Sequence, residues 1–226
     1  MTQVLKLTLL NHLFYYTEVS GGSAGATLTG EFLGDLALNY ALAGALRTRE
    51  GAAEFRLQPD YPEIGSFGFY CTVARPLKPA VRTDTYIQNT LFTDGYPDMD
   101  SIRKSGSSPF KNFRQVQGLA IGNEFLAAVF SREPLRLPPV LRMGRQRETL
   151  VRVEVLPKLP EKEADNFWLN AFSLKTVFGD VEPVAQLMST EGHNIRLRNV
   201  VEPYFLVQNL TLRQVQGVME KHFPAR

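Results

Sequence analysis

Residues 7–46, LTLLNHLFYYTEVSGGSAGATLTGEFLGDLALNYALAGAL, contain the change of pattern that decides the fold. Val4–Tyr16 alternates between two faces, which predicts a β-strand. The next segment, Thr17–Gly30, is rich in glycine and serine and predicts a loop. Phe32–Leu46 is almost entirely apolar, which predicts a helix packed on most of its sides. Its one narrow polar stripe, at four-residue spacing, consists of Glu31, Asp35 and Asn39.

Beyond this helix the pattern predicts mostly strands. Alternating or short apolar segments indicate strands near Ile64–Val73, Asp84–Phe92, Gln115–Phe130 (one strand, or two that meet at Gly122-Asn123), Leu150–Leu156, Phe167–Val177 and Val200–Val207. In Leu150–Leu156 the three valines are expected to face the core, and Thr211–Gln214 matches a capping box that begins a late helix. A βαβ start followed by antiparallel strands predicts an α+β fold with a ferredoxin-like core.

Composition limits the class of protein. The chain has 226 residues, 44% of them hydrophobic and 21% charged, as in ordinary soluble domains. A formal net charge of +2 means that any nucleic-acid surface must be a local patch. The single cysteine, Cys71, allows no intrachain disulfide, which fits a reducing cytoplasm. We expect no membrane span, because no apolar run approaches about 18 residues, and the N-terminus starts a strand rather than a signal peptide.

The strongest functional signal is PPVLRMGRQRETLVRVEV, Pro138–Val155. Three arginines surround Gly144 directly before an alternating strand: Arg142, Arg145 and Arg147. A glycine permits close backbone approach to a ligand, and arginine forks match phosphate oxygens. The pattern predicts a phosphate-binding turn for a nucleic-acid backbone. The alternative is a basic hairpin that faces water.

A second basic stretch, Ser101–Gln115 (SIRKSGSSPFKNFRQ), interleaves cations with aromatic side chains. Its cations are Arg103, Lys104, Lys111 and Arg114. Such interleaving suits single-stranded nucleic acid, because cations follow the phosphates while rings stack on bases. The candidate stacking residues are Tyr16, Tyr86 and Phe113. The alternative is a solvated loop anchored by its phenylalanines. A weaker third element combines Arg75, Lys78 and Arg82 with Tyr86.

The residues give no positive indication of an enzyme. The histidines, His12, His193 and His222, lie far apart in sequence, and none has metal-ligand spacing to another donor. The Gly21–Gly30 loop lacks both the ending of a P-loop and the G-x-G-x-x-G spacing. We therefore expect no metal, no cofactor and no catalytic residue.

Three segments together resemble one family. They are the first strand with its glycine-containing loop and GEFLGDLALNYAL, the Arg-Met-Gly-Arg motif before LVRVEV, and the ending EPYFLVQNLTL. They resemble the Cas-five-type subunit of type I-D CRISPR Cascade, the Csc-one family. The similarity extends over most of the chain. It rests on a hydrophobic pattern and one basic-glycine motif.

The resemblance implies a single compact unit, 1–226, with a ferredoxin-like core of the RNA-recognition type. It implies a protruding thumb at about 85–117 and a β-rich C-terminal part at about 140–226. Such subunits are non-catalytic parts of an antiviral ribonucleoprotein. They bind the 5′ handle of the crRNA, cap the filament of repeated backbone subunits and contact the large Cas-ten-type subunit. That end of the complex lies near the PAM of target DNA, which makes target DNA a further candidate partner. The alternative is a metal-independent endoribonuclease that processes precursor crRNA, for which His12 with Tyr16 is the candidate catalytic pair.

Overall fold

The computed structural model describes residues 1–14, 18–19, 27–46, 60–89, 92–93, 96–97, 113–144, 148–159, 166–179, 195–197 and 204–224. In chain order the strands are β1 (Thr2–Leu9), β2 (Glu18–Val19), β3 (Thr27–Leu28), β4 (Phe69–Cys71), β5 (Arg75–Pro76), β6 (Tyr86–Asn89), β7 (Phe92–Thr93), β8 (Tyr96–Pro97), β9 (Phe113–Gln117), β10 (Glu124–Ser131), β11 (Val140–Met143), β12 (Thr149–Leu156), β13 (Phe167–Asn170), β14 (Ile195–Leu197) and β15 (Phe205–Leu210). The helices are α1 (Asp35–Leu46), α2 (Ala171–Phe178), α3 (Leu212–Met219) and a 3₁₀ helix (Tyr61–Ser66).

The main sheet has six strands and is antiparallel throughout. Its order is β11-β12-β1-β10-β4, with β5 also paired to β10. Along the chain, the core elements follow as β1, α1, β4, β10 and β12. In space, their strands lie in the order fourth, first, third, second, which is the ferredoxin-like arrangement. The predicted α+β class with a ferredoxin-like core is therefore confirmed.

The crossover from β10 to β12 differs from the usual ferredoxin-like pattern, which has a helix at this place. Its described residues form an irregular segment, 132–139, and the edge strand β11. Such a segment covers less of a sheet than a helix does. Val155 pairs with the fully buried Leu5 but is 46% exposed, whereas Val151 and Val153 are buried. The expectation that all three valines face the core is wrong for Val155.

The two faces of the main sheet are covered differently. One face carries Leu5, Leu7, Phe125 and Val151, all buried, and α1 contacts both edge strands, β4 and β11. On the other face, the part formed by β10 is buried, while the part formed by β11, β12 and β1 is largely open. The charged residues of that open part are Lys6, Arg142, Arg152 and Glu154, and Glu124 lies beside them at the start of β10.

A separate three-stranded sheet, in the order β13-β15-β14, packs with α2 and α3 beside the core. The predicted strand Phe167–Val177 is wrong in its second half. The side chain of Asn170 accepts a hydrogen bond from the Phe172 N–H and so caps the start of α2. Gly179 caps the end of this helix. The predicted capping box is confirmed, because Thr211 and Gln214 bond to each other's backbone at the start of α3.

A buried polar cluster joins this C-terminal part to α1. The Tyr70 hydroxyl donates to Asp35 Oδ2 at 2.6 Å, and Asn170 Nδ2 donates to Asp35 Oδ1 at 3.1 Å. Burial raises the pKa of the Asp35 carboxyl, although hydrogen bonds from Ser173, Tyr70 and Asn170 oppose that rise. Asn39 donates to the Cys71 carbonyl and accepts from its N–H. The polar stripe predicted on α1 therefore includes two buried members that bond to the sheet and to the C-terminal part.

Two predicted strands are shorter than expected. The first ends at Leu9 instead of Tyr16, and Leu13 forms only an isolated bridge with Leu119. The Ile64–Val73 segment begins as a 3₁₀ helix and forms a strand only at Phe69–Cys71. No helix in the described part of the chain is long and apolar enough to cross a membrane.

Candidate nucleic-acid interface

Arg142 and Met143 end β11, and Gly144 follows them in what we call the Gly144 turn. This turn packs against residues 10–14, the segment that follows β1. Gly144 has a φ of 78°, a left-handed conformation that favours glycine. A Cβ at this position would lie 3.0 Å from Leu13 Cδ1 and 3.2 Å from the Phe14 carbonyl oxygen. The glycine is thus required twice, for its backbone conformation and for close packing.

Hydrogen bonds fix β12, which follows the turn, to the same segment. Asn11 Oδ1 accepts from the Leu150 N–H at 2.6 Å, and Asn11 Nδ2 donates to the Glu148 carbonyl at 3.0 Å. The Thr149 hydroxyl donates to the His12 carbonyl at 2.8 Å. Gly144 and Glu148 are therefore each packed on or bonded to residues of the segment that follows β1. Arg145 and Arg147 themselves lie outside the described residues.

Arg142 is exposed on the open part of the sheet face. It pairs with Leu150, and Val140 pairs with Arg152, so the two arginines are diagonal neighbours on that face. Arg152 lies 3.9 Å from Glu154, whereas Arg142 has no ion pair within the part of the chain that the structure describes. Its guanidinium is available for an anionic ligand such as a phosphate.

Three rings lie in a row beside the Gly144 turn. The ring centroids of Phe14 and Tyr86 are 5.8 Å apart at an interplanar angle of 79°, and those of His12 and Phe14 are 6.4 Å apart at 72°. Tyr86 is 48% exposed. Edge-to-face packing of this kind holds aromatic side chains in place. The sequence prediction included Tyr86 but missed Phe14. One face of the predicted first strand mixes aromatic and polar residues, and that unusual mixture could have identified Phe14.

Tyr86 lies at the base of the predicted thumb. β6 and β9 pair antiparallel in a four-stranded sheet of order β2-β3-β9-β6, with Tyr86 opposite Val116. The backbones of Arg114 and Phe113 belong to β9, opposite Gln88 and Asn89. The remaining predicted site residues, Tyr16, Arg103, Lys104 and Lys111, lie outside the described residues. Of the predicted site residues that the structure describes, Gly144 and Tyr86 are linked through Phe14, and Arg142 lies two residues before Gly144 on β11.

Two of the three cations in the weaker basic element at residues 75–82 make structural contacts. Arg75 is buried and donates to the Asn166 and Pro76 carbonyls. Arg82 donates to the Thr29 carbonyl at 2.8 Å and lies 3.6 Å from Glu31. Lys78 is exposed. The contacts of Arg82 tie the bend to the segment that precedes α1, and those of Arg75 tie it to the residue that precedes β13.

The other candidates for chemistry have structural contacts. His12 Nδ1 accepts from the Ile121 N–H at 3.2 Å, and the His222 ring stacks on Phe178 at 4.2 Å. Cys71 is buried, and burial raises the pKa of its thiol. Within the described ranges no group of three or more His, Cys, Asp or Glu residues could hold a metal ion.

A family model described as Type I-D CRISPR-associated protein Cas5/Csc1 matches residues 1–199. No curated protein matches the chain. Among solved structures, the chain is similar to one in a type III-B Cmr-beta complex bound to cognate target RNA and AMPPnP, at 9% identity and a TM-score of 0.45, covering 92% of this chain and 84% of that one. It is also similar to a chain of a CRISPR RNA-guided surveillance complex, at 13% identity and a TM-score of 0.38, covering 99% and 100%.

Proposed function

This chain belongs to the type I-D CRISPR-associated Cas5/Csc1 family, and we propose that it is the non-catalytic subunit that binds the 5′ handle of crRNA in the effector ribonucleoprotein. In this role it caps the filament of repeated backbone subunits and contacts the large Cas-ten-type subunit. It lies near the PAM end of target DNA and acts in the cytoplasm in antiviral defence.

One observation carries the RNA-binding part of the proposal. The Gly144 turn packs on Leu13 and Phe14, and Phe14 packs on Tyr86. Two features far apart in sequence, a basic turn and an exposed aromatic ring, are therefore neighbours. Phosphate-binding cations beside stacking surfaces are the combination that binds single-stranded nucleic acid.

Each candidate has a defined task in the proposal. Arg142, Arg145 and Arg147 bind handle phosphates, and Gly144 allows the backbone to approach them closely. The thumb contributes further cations, Arg103, Lys104, Lys111 and Arg114. Splayed bases stack on aromatic side chains, for which the candidates are Tyr16, Tyr86 and Phe113.

Salt dependence tests this assignment. We expect the triple variant Arg142→Gln/Arg145→Gln/Arg147→Gln to bind crRNA more weakly than wild type. Because each lost single-strand phosphate contact removes about 0.7 from the slope of log affinity against log salt, the slope should fall by about 2. The measurement is crRNA affinity of the full chain at several salt concentrations.

The matched control removes three positive charges elsewhere. Arg132, Arg136 and Arg213 are exposed. Arg132 follows the end of β10 that bonds to Met1, at the opposite end of β1 from the Gly144 turn. Their triple glutamine variant should keep most of the slope. Equal slopes for both triple variants would show that only net charge matters and would remove the Gly144 turn from the proposed site.

The absence of catalysis has a separate test. His12 is exposed, and its Nδ1 accepts a hydrogen bond from the Ile121 backbone N–H. His12→Ala should leave the processing of precursor crRNA by the complete system unchanged. Loss of cleavage with RNA binding intact would favour the endoribonuclease.

A further inference from the structure

We infer that Tyr86, supported by Phe14, is a stacking site for one unpaired base, and that His12 donates a hydrogen bond to the edge of that base. The inference rests on the proposed function and deepens it, since it selects Tyr86 from the three stacking candidates and gives His12, which has no role there, a polar contact with the base. Phosphate contacts position a nucleic acid, whereas base contacts select it.

The first support is the way Phe14 is held. A Cβ on Gly118 would lie 2.7 Å from both Cδ1 and Cε1 of the Phe14 ring, so the ring lies directly on the Gly118 backbone. Phe14 is itself half-buried, and its ring contacts the Tyr86 ring at 79°. Because the Gly118 backbone blocks one side of the Phe14 ring, that ring is restrained where it contacts Tyr86.

The second support is the exposure of Tyr86. Nearly half of its surface is open to solvent, although it lies next to a buried strand residue, Val116. A fixed ring with one accessible side accepts a base at small cost in side-chain entropy. Base–aromatic stacking of this kind tolerates any base.

The third support is the tautomer of His12, which its hydrogen bond determines. Its Nδ1 accepts a hydrogen bond from the Ile121 N–H, so in the neutral imidazole the proton resides on Nε2. His12 is exposed and its ring contacts that of Phe14, so Nε2–H is an accessible donor at the end of the row of rings. Every base has acceptor atoms on its edges, so the donor adds a polar contact to the stacking surface.

The row of rings is joined to the Gly144 turn through Phe14. A Cβ on Gly144 would lie 3.2 Å from the Phe14 carbonyl oxygen, and the ring of Phe14 contacts that of Tyr86. The geometry points to one binding surface with separate phosphate and base portions.

The experiment compares two probes on the full chain: a ten-nucleotide oligouridylate, and an RNA backbone of the same length without bases. Wild type should bind the oligouridylate at least about 5-fold more tightly than the abasic RNA, the lower limit for stacking of one base. Tyr86→Leu should lose most of that preference, while its affinity for the abasic RNA and its salt slope stay unchanged. Tyr86→Phe should retain the preference.

His12→Phe keeps a ring but removes the donor, so it should weaken only the binding of the oligouridylate. Phe205→Leu is the matched control, because Phe205 is similarly exposed (43%) on β15. If Tyr86→Leu or His12→Phe keeps the full preference, the inference is overturned while phosphate binding stands. If wild type binds both probes equally with a steep salt slope, only the base site fails. If wild type binds neither probe, the proposed function fails as well.

Discussion

Gly118→Ala tests how far the candidate site depends on one close contact. The new Cβ would lie 2.7 Å from two atoms of the Phe14 ring and closer still to the Leu13 carbonyl oxygen. Gly118 cannot retreat, because its N–H donates to the Thr83 hydroxyl and its carbonyl accepts from the Thr83 N–H, each at 3.1 Å. The segment that contains Leu13 must therefore move.

That movement has a cost that the structure allows us to estimate. Leu13 and Leu119 exchange two backbone hydrogen bonds of 2.9 Å. Loss of both costs about 2 kcal/mol, and overpacking adds about 1–3 kcal/mol. We expect a loss of about 3–5 kcal/mol in the free energy of unfolding, which corresponds to a fall of about 6–20 °C in Tm for a domain of this size.

The assay is urea unfolding followed by the fluorescence of Trp168, the single tryptophan. Gly44→Ala is the control, because its Cβ would meet nothing within 4 Å and alanine favours the helix by about 0.5–1 kcal/mol. In Gly118→Ala we also expect the preference for the oligouridylate over the abasic RNA to fall, since Phe14 no longer holds Tyr86. A Gly118→Ala protein as stable as wild type, with the base preference intact, would refute this account of the junction.

Three further predictions concern stability and reactivity. Burial raises the pKa of Asp35 above 3.8 in the folded state, so the unfolded chain loses this proton at lower pH than the folded protein does. The free energy of unfolding of wild type should therefore fall relative to that of Asp35→Asn as pH increases from about 4 toward the raised pKa. If urea titrations show no change in this difference across the range, Asp35 is not a buried ionisable carboxyl. Thr211→Ala should cost about 1 kcal/mol through loss of the capping box at α3, measured by the same unfolding assay, whereas exposed Thr85→Ala should cost almost nothing. Cys71 should react with a thiol reagent only at the rate of unfolding, because it is fully buried with a raised pKa; rapid labelling of the native protein would show that β4 opens locally.

The sequence predicted the elements whose signals are local. The period of the first strand, the apolar run of α1 and the capping box of α3 all depend on residues within a few positions of each other. Gly144 was likewise identified from its neighbours, and its positive φ agrees with the need for glycine. The prediction from local sequence was wrong from Ala171 onward. The apolar segment there is compatible with a strand or a helix, and the Asn170 cap starts a helix.

The sequence by itself determined the class of fold, the presence of a basic turn and the family, because periodicity and short motifs are properties of adjacent residues. Only the tertiary structure decided that Gly144 touches Phe14, that Asp35 is buried, and that Val155 is open. These facts depend on contacts between residues more than 30 positions apart, such as that of Asp35 with Tyr70. Side-chain burial at such sites is set by which segments the sheet brings together, and no local pattern records that choice.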